Sequence, residues 1–179
     1  MASIQKKYVG LLGGSFDPAH KGHLGISKIT LKKLKLKKIY WVITKKNPFK
    51  NKTFYSLDKR IKFAKRITKT QKKIKLIYID NIIKSSRIID VINHFMKKKR
   101  MKNIYLIIGS DNLLRFHKWK SWKKILKLVK LIVFSRRGYD RKGMKSTVVK
   151  NFKNKITFIK NKPILISSTQ LKKQNESNI

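Results

Sequence analysis

Six short apolar runs recur along the chain, most of them followed by a polar turn and then by a stretch with helical spacing. The runs are Tyr8–Leu12, Lys38–Thr44, Ile74–Ile79, Ile104–Ile108, Leu131–Ser135 and Ile156–Ile159. Between them lie amphipathic segments at Gly22–Leu34, Leu57–Thr68, Ile88–Lys98 and Ser121–Leu128, and a last one begins near Ser168. This alternation predicts parallel strands joined by crossover helices. Ser56 and Ser121 stand where N-caps belong, and Asp58 suits a first helical turn. The connection Arg137–Asn154 is polar, contains Gly138 and Gly143, and reads as a surface loop with room for a short helix. The polar tail Gln174–Ile179 reads as frayed.

The expected architecture is a doubly wound α/β fold, with a mainly parallel sheet and helices on both faces. At 179 residues the chain is expected to form one domain, residues 1–179, with a core spanning about 8–173. In such folds ligands bind beyond the carboxyl ends of the strands, at the point where strand order reverses. Residues just after each strand are therefore the ones to read for chemistry.

The segment after the first run is Gly13-Gly14-Ser15-Phe16-Asp17-Pro18-Ala19-His20-Lys21-Gly22-His23. A strand runs into a glycine-rich turn and then into a helix, with two histidines where the helix starts. Glycines let the backbone approach phosphate, and the open N–H groups of a helix N-terminus favour anionic oxygens. Two imidazoles three residues apart add donors to the same charge. The segment is neither a Walker loop, since no Gly-Lys-Ser/Thr closes it, nor a G-x-G-x-x-G fingerprint.

Composition narrows the chemistry. Zero cysteines excludes disulfides, thiol nucleophiles and thiolate metal sites. With seven acids and four histidines, no dedicated all-protein metal cage is expected. No apolar run has the length of a bilayer span and the N-terminus shows no signal-peptide core, so the cytoplasm is the expected address. The formal charge of +41 suggests nucleic acid. Lysine, however, outnumbers arginine 40 to 8 and is spread from Lys6 to Lys173, whereas phosphate recognition favours the arginine fork. No specific nucleic-acid partner is expected, only a general attraction for anions.

The Gly13–His23 segment resembles the G-x-F-D-P-x-H-x-G-H motif of the nucleotidyltransferase superfamily, in the form found in its nicotinate-nucleotide adenylyltransferase family. Further stretches match in the same order. Lys45–Lys50 resembles a P-P-H-K loop, with Asn47 and Phe49 departing from it. Gly109-Ser110-Asp111, with Trp119 and Trp122 following, resembles G-A-D … W-x-x-W. Ser135-Arg136-Arg137-Gly138 resembles A-R-P-G, and Ile166-Ser167-Ser168-Thr169 resembles I-S-S-T, with Lys172 where the family usually has arginine. Asp90 matches a Y-T-x-D-T stretch in which Arg87 and Ile88 do not.

The resemblance implies a Rossmann-like nucleotidyltransferase fold. It also implies adenylyl transfer from ATP to nicotinate mononucleotide, giving nicotinate adenine dinucleotide and pyrophosphate, with Mg²⁺ carried in on ATP. It casts His20 and His23 as catalytic. Gly13, Gly14, Ser15, Phe16, Gly109, Asp111, Ser167, Ser168 and Thr169 join them around ATP, and Lys50, Trp119 and Arg136 meet the acceptor. Gly109 is read as permitting a tight turn, Trp119 as stacking on the pyridine ring, and Trp122 as core on the same helical face. The alternatives are a sister enzyme acting on nicotinamide mononucleotide or phosphopantetheine, and a basic nucleic-acid-binding protein.

Overall fold

The computed structural model describes residues 8–45 and 52–161. Its centre is a six-stranded, fully parallel sheet in the order β3-β2-β1-β4-β5-β6. The strands are β1 (Val9–Gly14), β2 (Lys38–Ile43), β3 (Ile74–Ile77), β4 (Ile104–Gly109), β5 (Lys130–Phe134) and β6 (Ile156–Ile159). The main helices are α1 (Lys21–Lys33), α2 (Leu57–Thr68), α4 (Ile88–Lys97) and α6 (Trp122–Leu128). Short helices complete the chain: α3 (Asp80–Ile83), α5 (Ser110–Arg115), α7 (Asp140–Met144) and α8 (Thr147–Phe152).

Both faces of the sheet are covered, which is why the strands read as near-continuous apolar runs. On one face α1 and α2 pack over a core that includes Leu12, Ile39, Trp41 and Ile132. On the other, α4, α6 and α8 pack over Leu11, Leu106, Leu131 and Val133. Strand order reverses between β1, which continues toward β2, and β4, which continues toward β5. A crevice is expected at the carboxyl ends there.

Several local expectations change. Gly13 and Gly14 are the last residues of β1, paired in register with Val42 and Ile43 of β2, so the turn proper is Ser15–His20. Ser56 caps α2, accepting the Lys59 N–H at 3.4 Å. Ser121 does not cap α6 with its side chain, because its backbone is left-handed (φ 57°) and no side-chain bond forms. The stretch read as the loop Arg137–Asn154 instead holds α7 and α8. It is drawn onto the body by contacts between remote parts of the chain: Val148 is fully buried, and a Cβ on Gly143 would stand 3.1 Å from the Ser110 carbonyl oxygen. Lys50, Ser167, Ser168, Thr169 and Lys172, with the helix expected near Ser168, lie outside the described residues.

Candidate active site

At the switch point lies a cavity of about 510 Å³. The Ser15–His20 turn forms one wall. Phe16 adopts a left-handed backbone (φ 47°), and a non-glycine residue is held there only when its surroundings enforce it. Here its ring is 2% exposed, stacks on Trp41 at 4.9 Å and lies 4.8 Å from the His23 ring. Phe16 thus supports His23 from below while also lining the cavity.

His20 and His23 form a reciprocal cap at the start of α1. His20 Nδ1 accepts the Gly22 N–H at 3.1 Å, and His23 Nδ1 accepts the His20 N–H at 3.3 Å. The ring centroids are 3.9 Å apart. Burial, then the charge of Arg136, pushes the His20 pKa down to about 4. Burial, His20 and Arg136 together push His23 well below its ordinary value. Both rings are therefore neutral near pH 7. Because each Nδ1 is occupied as an acceptor, the remaining proton sits on Nε2. Each ring carries one N–H donor, and both rings line the cavity.

The β4 and β5 ends build another part of the site. Arg136 Nε lies 3.4 Å from Asp111 Oδ1, in a partly exposed pair. Gly109 makes room for it: a Cβ there would collide with the Asp111 carboxylate and press on Arg136 at 3.1–3.2 Å. The backbone at Gly109 is extended (φ −89°), so clearance rather than a tight turn is what the position requires. The Arg136 N–H is held by Asp140 Oδ1 at 2.9 Å and by Ser110 Oγ at 3.0 Å. Burial opposes ionisation of Asp140. Bonds from Ser110, the Arg136 N–H and Ser135, with the charge of Lys160, outweigh it and lower the carboxyl pKa.

Trp119 lines the cavity and packs on Phe116 with ring centroids 4.8 Å apart. It does not share a helical face with Trp122. Trp119 is extended (ψ 139°) after a short 3₁₀ turn, whereas Trp122 opens α6. Trp122 is partly buried at the edge of the core, against Phe152 at 5.7 Å, rather than fully inside it.

The structure thus brings Gly13, Gly14, Ser15, Phe16, His20, His23, Gly109, Asp111, Trp119 and Arg136 to one cavity. It adds residues that sequence reasoning missed. Thr44, Asp80, Lys118 and Lys120 also line the cavity, together with Ser86 and Arg87 from the stretch where the match to Y-T-x-D-T breaks down. Arg60 stands behind its wall, 1% exposed and bonded to four backbone carbonyls. Asp90 accepts from Ser85 Oγ at 2.6 Å and so braces the approach to α4. Among the described residues no group of three or more His, Asp or Glu is placed to hold a metal, and no helix is long and apolar enough to cross a membrane.

The family model described as cytidylyltransferase-like matches residues 11–174. A probable nicotinate-nucleotide adenylyltransferase of Pelagibacter ubique is 49% identical over 170 residues, covering 94% of each chain. A protein of the same description from Helicobacter pylori is 38% identical over 140 residues, covering 76% of this chain and 79% of its own. Among solved structures, the Plasmodium falciparum nicotinic acid mononucleotide adenylyltransferase complexed with NaAD superposes with a TM-score of 0.75 over 93% of this chain and 83% of that one. At 20% identity that likeness speaks for the shared fold.

Proposed function

The chain belongs to the cytidylyltransferase-like family, and we propose that it transfers the adenylyl group of ATP to nicotinate mononucleotide, releasing pyrophosphate. The relative at 49% identity over 94% of both chains supports the acceptor. The observation that carries the chemistry is the His20–His23 pair, two neutral N–H donors fixed at a helix N-terminus beside the end of β1.

In the reaction an oxygen of the acceptor phosphate attacks the α-phosphorus of ATP. The bond from that phosphorus to the bridging oxygen breaks, and its electron pair leaves with pyrophosphate. The attacking phosphate is already ionised near neutral pH, so no general base and no covalent intermediate are required. Catalysis rests on in-line positioning and on stabilising charge as it develops. His20 and His23 donate Nε2–H to phosphate oxygens. Gly13, Gly14 and Ser15 let the triphosphate close on the α1 N-terminus, with Ser167, Ser168 and Thr169 assigned to the same phosphates. Arg136, whose Nε faces Asp111, keeps its two terminal nitrogens for an anionic oxygen of the acceptor. Trp119 stacks on the pyridine ring, and Lys50 adds charge on the acceptor side.

Mg²⁺ enters as part of the MgATP substrate. Asp17 and Asp80 accept protein donors and Asp111 faces Arg136, with one oxygen each of Asp80 and Asp111 taking no hydrogen bond. In a chain this poor in acids the cation would be held mainly by phosphates and water.

The deciding experiment is pyrophosphate release from ATP with nicotinate mononucleotide, nicotinamide mononucleotide and phosphopantetheine in parallel. Nicotinate mononucleotide is expected to give the highest kcat/KM. Preference for phosphopantetheine, or no release with any of the three, overturns the assignment.

A further inference from the structure

A continuous hydrogen-bonded route joins two walls of the cavity, and none of its charged groups takes part in the transfer described above. Arg60 Nη1 donates to the Ser15 carbonyl at 2.6 Å and to the Thr44 carbonyl at 2.8 Å. Its Nη2 donates to the Lys45 carbonyl at 3.1 Å, and its Nε to the Tyr55 carbonyl at 3.2 Å. Asp80 grips the same strand end from the other side. Its Oδ2 accepts Thr44 Oγ1 at 2.8 Å, the Lys45 N–H at 2.8 Å and Ser86 Oγ at 2.9 Å.

The tip of β2 is therefore held between a cation 1% exposed and an anion 8% exposed. One end of the route is Ser15 in the phosphate turn. The other is Ser86, next to Arg87 and Ile88 at the start of α4. Both ends line the cavity. Burial disfavours the Arg60 charge, and the carboxylates of Asp17 and Asp80 counter that penalty. Such buried charges are poor stabilisers, since well-packed apolar residues commonly do as well or better. What they give here is geometry. Every Arg60 donor contact falls on backbone at the carboxyl edge of the sheet, where the site is, rather than on the core.

We propose that Arg60 and Asp80 are positioning residues, which set the separation between the triphosphate turn and the α4 wall through the Thr44–Lys45 strand end. The proposal rests on the transferase reading above. In-line transfer needs reacting atoms about 3–3.5 Å apart, and a misplacement of about 1 Å costs on the order of 10²-fold in rate.

The test uses the full chain carrying Arg60→Lys, Asp80→Asn, or both. Measurements are kcat for pyrophosphate release, Kd for ATP and for nicotinate mononucleotide separately by calorimetry, and Tm. Each single variant is expected to lose roughly 10–100-fold in kcat, with each separate Kd within about threefold of wild type. The double variant should fall no further than the worse single one, because both substitutions break one route. A lowered Tm with kcat per folded molecule unchanged overturns the proposal, as does a double variant whose loss is the product of the two single losses. If Arg60→Lys does not fold, Asp80→Asn and Ser86→Ala, which cuts the far end of the route, carry the same comparison. Absence of wild-type turnover removes the transferase reading and this proposal together. Wild-type turnover with unaffected variants removes the proposal alone.

Discussion

His23 holds the backbone N–H of His20 through Nδ1 at 3.3 Å, so one imidazole fixes the entry of the chain that carries the other. His20 in turn caps α1 through Gly22. The pair therefore has a structural duty as well as the proposed chemical one, and substitutions must separate the two. His20→Ala and His23→Ala are each expected to lower kcat by roughly 10²–10³, the cost of removing a donor aimed at developing charge. His20→Ala should also cost about 1 kcal/mol of stability through the lost cap. His20→Asn restores a cap acceptor but not the Nε2–H, so it should regain the stability and leave the rate low. If His20→Asn recovers wild-type turnover, His20 is a cap and nothing more.

The buried His20 makes stability depend on pH. Its folded pKa is lowered to about 4, against an ordinary value of about 6.5 in the unfolded chain. Between these values the unfolded state binds a proton that the folded state refuses. Stability is thus fully present above about pH 6.5 and falls as pH drops toward 4. Carboxylates titrate in part of this range, so the readout is the difference between wild type and His20→Asn in denaturant unfolding at several pH values. The two should be nearly equal at pH 7, and the wild type should become progressively the less stable as the solution is acidified to pH 4.5. A constant difference contradicts the assignment of a neutral, buried His20.

The six strands and four longer helices were legible because buried parallel strands leave uninterrupted apolar runs, while helices leave a spaced stripe. The turn that lines the cavity between β1 and α1 was legible because its parts are contiguous, from Gly13 to His23. Arg60 and Asp80 escaped because their partners are remote: Arg60 meets Ser15 across 45 positions and Asp80 meets Thr44 across 36. Each had a faint signal. Arg60 shares the buried stripe of α2 with Ala64 and Thr68, an odd place for a cation. Asp80 is one of seven acids and stands just after a strand, as Asp111 does. Lys118 and Lys120 had no signal at all among so many lysines. The segment of α7 and α8 was read as a surface loop with room for one short helix, because both are too short to show a period and contacts with the rest of the fold decide their burial.

Those few acids have a further consequence. Asp17, Asp80, Asp90, Asp111 and Asp140 are all bonded within the fold. Among the described residues that leaves only Asp58 against an outer surface crowded with cations. Self-repulsion should therefore weaken the fold at low ionic strength, where the screening length is about 30 Å at 0.01 M against about 8 Å at 0.15 M. Raising KCl from the first concentration to the second should raise Tm by at least about 2–4 °C, the shift that roughly 1 kcal/mol produces in a domain of this size. Chloride is chosen so that a phosphate-like anion does not stabilise the site instead. A Tm that falls with added KCl contradicts the account.

Trp119 and Trp122 offer the sharpest separation of binding from packing. Trp119 lines the cavity at the end of a 3₁₀ turn, and its contact with Phe116 leaves it partly exposed. If it stacks on the pyridine ring, Trp119→Ala should raise the KM for nicotinate mononucleotide about tenfold, near the upper end of what an aromatic pair contributes beyond its area. The KM for ATP should stay near wild type. Trp122 lies away from the cavity lining, between α6 and Phe152 of α8. Because it is only partly buried, Trp122→Ala should cost about 2–3 kcal/mol, below the 3–5 of a fully enclosed indole, with both KM values retained. Urea unfolding and steady-state kinetics on the two variants read these outcomes directly. Weakened acceptor binding in Trp122→Ala with none in Trp119→Ala reverses the two roles, and loss of acceptor binding in neither leaves the pyridine ring without its proposed partner.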